Sequence, residues 1–170
     1  MTVKALFLDR DGTINIDDHY VHRKEDFRFL DGIFDLCREA IAHGYLIVVI
    51  TNQSGIERGY FTDAQFHELT DWMIEAFRRE GVEIADVLYC PSLEGEDRKP
   101  KPGLFLKAGE KFGIEMGASL SLGDKERDVE AGIAAGVGRN LLLSETPVKT
   151  KADAVVRTLR DAIPYLINNP

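Results

Sequence analysis

Apolar and polar positions alternate along the chain in blocks that predict strands and helices in turn. Short continuous apolar runs are typical of buried strands in a parallel sheet, whereas apolar residues that recur every three or four positions indicate amphipathic helices. The predicted strands cover Ala5 to Leu8, Tyr45 to Ile50, Asp86 to Cys90, Ala118 to Leu122, Gly138 to Leu143 and a short edge strand, Ala154 to Val156.

Helical spacing fills the segments between these strands. Five helices are predicted. The first starts at Asp31 or Gly32 and ends at His43-Gly44, and the second runs from an N-cap at Thr62 to about Glu80. The third covers Leu104 to Phe112, the fourth begins at Asp128, and the fifth lies within the tail Lys151 to Pro170. Strands that alternate with helices predict an α/β fold with a parallel sheet and right-handed crossovers. The absence of repeats and linkers predicts one domain over residues 1–170.

Polar clusters follow four of the predicted buried segments. In parallel sheets, ligands bind just beyond the carboxyl ends of the strands, so these clusters are expected to meet at one edge. Gly12 allows the chain to turn sharply after the first strand, and Thr13 adds a hydroxyl group. The four clusters are Asp9 with Asp11, Thr51 with Asn52, Arg98 with Lys99, and Asp124 with Asp128.

The chemistry of these clusters favours phosphoryl transfer. Closely spaced carboxylates repel each other unless a cation or a shared proton lies between them, and three acids suit a hard cation such as Mg²⁺. Lys99 and the Thr51 hydroxyl suit phosphate oxygens. A carboxylate can then act as a nucleophile while the metal offsets its repulsion from phosphate. A second acid can protonate the leaving oxygen and later activate water.

Composition restricts the partners. The 170 residues are 44% hydrophobic and carry a net charge of -8, which argues against a broad nucleic-acid or membrane surface but allows a small anionic substrate. The two cysteines, Cys37 and Cys90, are too few for a disulfide framework, so a cytoplasmic location is expected. Neither a signal peptide nor a bilayer-length apolar stretch is expected.

The segment from Asn15 to Arg28 is polar, aromatic and irregular. Long loops of this kind are often functional, and we expect it to fold over the mouth of the cleft, although a plain surface connection explains most of its residues equally well. His19 and His22 lack the spacing of a metal pair and are candidate substrate contacts only.

The motifs resemble those of the haloacid-dehalogenase-like phosphatase superfamily, and they occur in order from Asp9 to Asp128. The resemblance implies a Rossmann-like domain with helices on both faces of the sheet; only short connections join the first three motifs, so no inserted cap domain is expected. It implies that Asp9 is the nucleophile and Asp11 the general acid/base. Thr51 and Lys99 would bind phosphate, and Asp128 would support Lys99. The implied Mg²⁺ ligands are Asp9, the Asp11 backbone carbonyl and Asp124.

A closer resemblance is to the D-glycero-D-manno-heptose 1,7-bisphosphate phosphatase family, which removes the C7 phosphate. The chain shares with it Asp-Arg-Asp-Gly-Thr-Ile-Asn, Thr-Asn-Gln-Ser-Gly-Ile-x-Arg-Gly, Arg-Lys-Pro-x-Pro-Gly and Gly-Asp-Lys. The histidinol-phosphate phosphatases share Asp-Arg-Asp-Gly-Thr and Thr-Asn-Gln but differ after Gln53 and Pro100. A phosphatase of histidinol phosphate or of another small phosphate ester remains the alternative. The match implies that five residues would contact the phosphorylated sugar or shape its site: Asn52, Gln53, Ser54, Arg98 and Lys125.

The chain departs from both families in the loop before Arg98. Those families usually carry a zinc loop with Cys-x-His followed by Cys-x-Cys, whereas here Cys90 is followed by Ser92, and 93–97 contains no cysteine. A structural zinc site requires four N or S ligands, so we expect no zinc. A monomer is favoured. A catalytically silent phosphate-binding protein of the same fold is the alternative from another class.

Overall fold

Six parallel strands form one sheet in the computed structural model, which describes residues 2–167. Their order across the sheet is β3-β2-β1-β4-β5-β6. Position 1 and the end of the predicted tail, 168–170, lie outside the described residues. The predicted parallel α/β fold is confirmed. The strands are β1 (Lys4–Leu8), β2 (Tyr45–Asn52), β3 (Ile84–Cys90), β4 (Leu120–Gly123), β5 (Arg139–Leu143) and β6 (Ala154–Val156).

Helices cover both faces of the sheet, as expected. Successive side chains of β1 point to opposite faces. Leu6 and Leu8 pack with α1, α2 and the chain's C-terminal segment, whereas Ala5 and Phe7 pack with α3 and α4. The helices are α1 (Ile33–Ala42), α2 (Asp63–Arg79), α3 (Gly103–Phe112), α4 (Glu126–Ala134) and α5 (Ile163–Ile167).

Local signals set several helix ends. The Thr62 hydroxyl accepts a hydrogen bond from the Gln65 backbone N–H at 3.1 Å, and the Gln65 side chain accepts one from the Thr62 N–H at 2.8 Å, which confirms the predicted N-cap. No helix among the described residues has the length and apolar character that a membrane crossing requires. Both cysteines are buried and unpaired. Burial raises the pKa of Cys37 to about 12, so this thiol is unreactive.

Three predicted boundaries were wrong near the site. The second strand extends beyond Ile50 through Asn52, so Thr51 belongs to the strand itself. The fourth strand begins at Leu120 rather than Ala118, because residues Met116–Ala118 form a 3₁₀ turn. The helix expected to begin at Asp128 begins at Glu126, because Asp128 is its third residue and accepts a bond from the Lys125 N–H that caps it.

Candidate active site

A buried lysine lies between two carboxylates at the carboxyl edge of the sheet. Lys99 Nζ is 2.9 Å from Asp9 Oδ1 and 2.7 Å from Asp128 Oδ1, and it also donates to the Ile50 carbonyl at 2.7 Å. The Lys99 side chain is only 2% exposed. Burial alone lowers the pKa of Lys99, but the carboxylates of Asp128 and Asp9 outweigh that effect and leave the pKa raised. The ammonium group is therefore charged and orients Asp9.

A third carboxylate completes an acidic group. Ligand oxygens of Asp9, Asp124 and Asp128 lie within 4.8 Å of one another. Burial raises the pKa of Asp9 well above its ordinary value; Asp128 adds to the rise and Lys99 opposes it. Burial and the neighbouring Asp128 likewise raise the pKa of Asp124. Three carboxylates and one ammonium group leave an excess of negative charge here.

The donor set fits a hard divalent cation. Asp124 Oδ1 is buried and has no hydrogen-bond partner among the described residues, although a buried carboxylate oxygen ordinarily has one. Carboxylate and carbonyl oxygens are the ligands that Mg²⁺ prefers. Asp9, Asp124 and the backbone carbonyl of Asp11, in the turn that follows β1, are the groups that could hold it.

Two glycines make room for these carboxylates. Gly12 has φ = 90°, and a Cβ built there would lie 2.1 Å from Asp124 Oδ2. A Cβ on Gly123 would lie 2.4 Å from the Asp128 side chain. Larger residues at these positions would displace the carboxylates, which explains both glycines physically.

The loop that carries Lys99 is fastened to β2 by Asn52. The Asn52 amide accepts a bond from the Lys99 N–H at 3.0 Å and donates one to the Lys99 carbonyl at 3.1 Å. Both polar atoms of the Asn52 side chain, which was predicted to contact substrate or to shape its site, are thus hydrogen-bonded to the Lys99 backbone. The three cations of this loop also separate: Lys99 points inward, Arg98 lines the cleft, and Lys101 pairs with Glu96.

Asp11 lies beside Asp9 in the cleft, but its carboxylate has separate partners. Arg10 Nη2 and Asn15 Nδ2 each donate to Asp11 Oδ1 at 3.0 Å, and Gln53 Nε2 donates to Oδ2 at 3.0 Å. Gln53 also donates to the Thr51 hydroxyl at 2.9 Å. Gln53, predicted to contact substrate, is therefore bonded to two other predicted site residues.

A cleft of about 260 Å³ opens over these groups. The structure brings together in its wall the predicted residues Asp9, Asp11, Thr51, Asn52, Gln53, Ser54, Arg98 and Lys125. Lys99 and Asp124 lie beneath it. Sequence reasoning did not assign Arg58 and Arg127, which also line the cleft, although Arg58 stands in the shared Thr-Asn-Gln-Ser-Gly-Ile-x-Arg-Gly motif and Arg127 directly precedes Asp128.

Comparison with known proteins identifies the family. The family model described as polynucleotide kinase 3 phosphatase matches residues 4–136. A D-glycero-alpha-D-manno-heptose-1,7-bisphosphate 7-phosphatase of Burkholderia mallei is 49% identical over 98% of this chain and 95% of the relative. The chain belongs to the heptose-1,7-bisphosphate 7-phosphatase family. A D-glycero-beta-D-manno-heptose-1,7-bisphosphate 7-phosphatase of Yersinia pestis is 42% identical over 94% of this chain and 93% of that relative.

Solved structures of this family share the fold. The D,D-heptose 1,7-bisphosphate phosphatase of B. bronchiseptica, complexed with magnesium and phosphate, superposes with a TM-score of 0.87 at 25% identity, over 98% of this chain and 99% of that one. The likeness extends over β1 to α5, so the resemblance inferred from the motifs is confirmed.

In this member of the heptose-1,7-bisphosphate 7-phosphatase family, the loop after Cys90 is held by hydrogen bonds. Cys90 Sγ lies 3.7 Å from the Ser92 carbonyl, and the Leu93 N–H donates to Glu57 at 2.9 Å. Arg98 Nη1 donates to the same Ser92 carbonyl at 3.2 Å. The loop thus orients Arg98 at the cleft, and the absence of zinc stays a prediction.

The segment predicted to cover the cleft contributes side chains to its wall. Asp17, His19 and Tyr20 line the cleft, and His19 and Tyr20 have φ values of 60° and 56°, which non-glycine residues rarely adopt. The Tyr20 ring meets Tyr60 edge-on with centroids 4.7 Å apart. Two exposed aromatic rings therefore flank the entrance.

Proposed function

We propose that this chain is a Mg²⁺-dependent phosphatase that removes the C7 phosphate of D-glycero-D-manno-heptose 1,7-bisphosphate. The observation that carries the proposal is the 49% identity, over nearly the whole chain, to an enzyme of that name. The Asp9, Lys99 and Asp128 cluster supports it, because a buried carboxylate held by a charged lysine at the edge of the cleft suits attack on phosphorus.

Asp9 is the nucleophile in this proposal. One of its carboxylate oxygens bonds to phosphorus, the bond from phosphorus to the sugar oxygen breaks, and Asp11 donates a proton to that oxygen. Asp11 then takes a proton from water, whose oxygen attacks the phosphorus of the aspartyl phosphate. Inorganic phosphate leaves and the Asp9 carboxylate is restored. Division into two steps gives each a lower barrier than direct displacement.

Charge compensation comes from Lys99 and the metal. Asp9, Asp124 and the Asp11 backbone carbonyl would hold Mg²⁺, whose positive charge would offset the repulsion between a carboxylate and a phosphate. Lys99 orients the Asp9 carboxylate, and the Thr51 hydroxyl, which lines the cleft, would donate to a phosphate oxygen. Asp128 keeps Lys99 in position through its 2.7 Å contact.

The substrate's second phosphate fits the basic side of the cleft. Arg58, Arg98, Lys125 and Arg127 line it, in a chain whose net charge is -8. Ser54 also faces the cleft, while Asn52 and Gln53 shape it through their bonds to Lys99 and Asp11. A sugar with phosphates at both ends matches a cleft lined by both carboxylates and basic side chains.

The alpha anomer is the expected substrate, because the relative named for it is 49% identical and the relative named for the beta anomer is 42% identical. We further propose a cytoplasmic monomer without zinc that binds neither nucleic acid nor membrane. The unpaired, buried cysteines and the acidic net charge support this proposal. Its product would enter heptose activation for surface polysaccharides.

Phosphate release with Mg²⁺ from both anomers and from histidinol phosphate tests the assignment. We expect fast release from the alpha anomer and slow release from histidinol phosphate. Slow, indiscriminate release from all three would overturn the heptose assignment. Asp9→Asn should still bind phosphate but lose several orders of magnitude in turnover, and normal turnover in that variant would remove Asp9 from the role of nucleophile.

A further inference from the structure

Among residues 2–167, Arg10 is the largest side chain that is almost completely buried, at 1% exposure. It separates Asp9 from Asp11 in the sequence and would ordinarily be read as a solvent-exposed spacer between two acids. A buried guanidinium is unfavourable unless charged and polar partners surround it. Its partners therefore indicate why the chain retains a buried charge at this point.

These partners lie on two sides of the guanidinium group. On one side Arg10 Nη2 and Nε donate to Asp11 Oδ1 at 3.0 and 3.3 Å. On the other, Nη2 donates to the Val21 carbonyl at 2.7 Å. The rings of Phe27 and Phe66 pack around the group at 6.0 and 5.9 Å from their centroids. Contacts with the segment 15–28 and with α2 thus hold Arg10 in place, and Arg10 in turn restrains the Asp11 carboxylate.

Asp11 depends on this neighbour for its orientation. Its other donors, Asn15 and Gln53, are uncharged and each makes one bond to it. Arg10 is the only charged group in contact with the Asp11 carboxylate among the described residues. The Asp11 side chain remains 20% exposed and reaches the cleft, so its carboxylate is held at the cleft wall, available to a leaving group.

We propose that Arg10 is a positioning residue for this reaction: its planar fork holds the Asp11 carboxylate in the orientation that proton transfer to the sugar oxygen, and later from water, requires. The inference rests on the proposed role of Asp11 as general acid/base. A rigid support matters because small misplacement of a catalytic group strongly reduces rate. Lysine cannot replace the fork, since it offers a point charge in place of fixed parallel donors.

The leaving group makes this role measurable. A 4-nitrophenolate leaves without protonation, whereas a sugar alkoxide needs the acid. We expect Arg10→Lys to lower kcat/KM for the heptose bisphosphate by about 10- to 100-fold, part of the range general acid catalysis provides. The same variant should leave kcat/KM for 4-nitrophenyl phosphate nearly unchanged, and KM for the sugar should change little. Arg10→Gln, which is uncharged and still donates one bond, should show the same pattern.

Three comparisons separate the outcomes. Arg78 is an exposed arginine on α2 that pairs with Glu75, and Arg78→Lys is the matched control. This variant should behave as wild type on both substrates. Equal losses on the two substrates in Arg10→Lys and Arg10→Gln, or no loss on either, would overturn the positioning role. Asp11→Asn tests the proposed mechanism itself, and the first turnover is measured because hydrolysis of the aspartyl phosphate needs Asp11 with either substrate. An equal loss in the rate of the first phosphoryl transfer on both substrates in Asp11→Asn would refute Asp11 as the acid, whichever result the Arg10 variants give.

Discussion

A single methyl group at Gly12 tests the packing of the acidic group. In Gly12→Ala the new Cβ would lie 2.1 Å from Asp124 Oδ2 and 2.5 Å from Asp124 Cγ, far inside van der Waals contact. The obstruction is the end of a short side chain, so the Asp124 carboxylate can rotate away at little cost in stability. The backbone itself has φ = 90°, which costs alanine about 1–2 kcal/mol.

The chain provides a matched control for the cost of placing alanine at a positive φ. Gly81, beyond the end of α2, has φ = 78°, but no atom lies within 4 Å of its would-be Cβ. Gly81→Ala should therefore show the same loss of about 1–2 kcal/mol in the free energy of unfolding as Gly12→Ala. Only Gly12→Ala should weaken the binding of Mg²⁺. The expected loss of affinity is about 10- to 100-fold, the scale seen when groups that orient metal ligands are changed.

Urea unfolding measured without metal and Mg²⁺ titration by calorimetry give the two quantities separately. Activity measured against Mg²⁺ concentration should shift in parallel with the calorimetric affinity. If Gly12→Ala bound Mg²⁺ as tightly as wild type, Asp124 would not be a ligand in the arrangement proposed. If Gly81→Ala weakened Mg²⁺ equally, the effect would come from global destabilisation instead.

Three further predictions concern the buried charges and the loop after Cys90. Lys99→Met should lower the free energy of unfolding by about 3–5 kcal/mol in urea at neutral pH without metal, because it leaves buried carboxylates unpaired; a loss below about 1 kcal/mol would contradict the buried pairing. The raised pKa of Asp124 means that folding favours its protonated form, so the contribution of Asp124 to metal-free stability should fall as pH rises above the unfolded value near 3.8. Urea melts at acidic and neutral pH should therefore show a smaller difference in stability between wild type and Asp124→Asn at acidic pH than at neutral pH, and an equal difference at the two pH values would count against the burial effect. A zinc-specific chelator should leave phosphate release intact, and one bound zinc per chain by elemental analysis would refute the zinc-free loop.

The order of elements was readable from the sequence because the sheet is built from local patterns. Buried strands of a parallel sheet are continuous apolar runs, and each helix carries its own periodicity and end signals, such as Thr62 with Gln65. The meeting of Asp9, Thr51, Lys99 and Asp124 at one edge followed from the rule that parallel strands end on the same side. The boundaries at Ala118 and Asp128 were wrong because a 3₁₀ turn and a capping bond depend on neighbours that apolar periodicity does not reveal.

Side-chain partners were decided by the tertiary structure alone. The family match implied that Asn52 and Gln53 contact substrate or shape its site, and the folded chain brings the Lys99 backbone and the Asp11 carboxylate within reach of their amides. Arg10 offered no local signal of burial, since Val21, Phe27 and Phe66 surround it only after the segment 15–28 and α2 have packed.

The sequence by itself thus determined which residue types reach the carboxyl edge of the sheet, because strand periodicity and chain direction are local properties. Only the tertiary structure decided the contacts of each carboxylate. Asp9 and Asp128 lie against Lys99, Arg10 holds Asp11, and Asp124 keeps an oxygen without a protein partner for a cation. These pairings depend on distances between residues as far apart as Asp9 and Lys99. Such distances arise only when separate elements pack against one another.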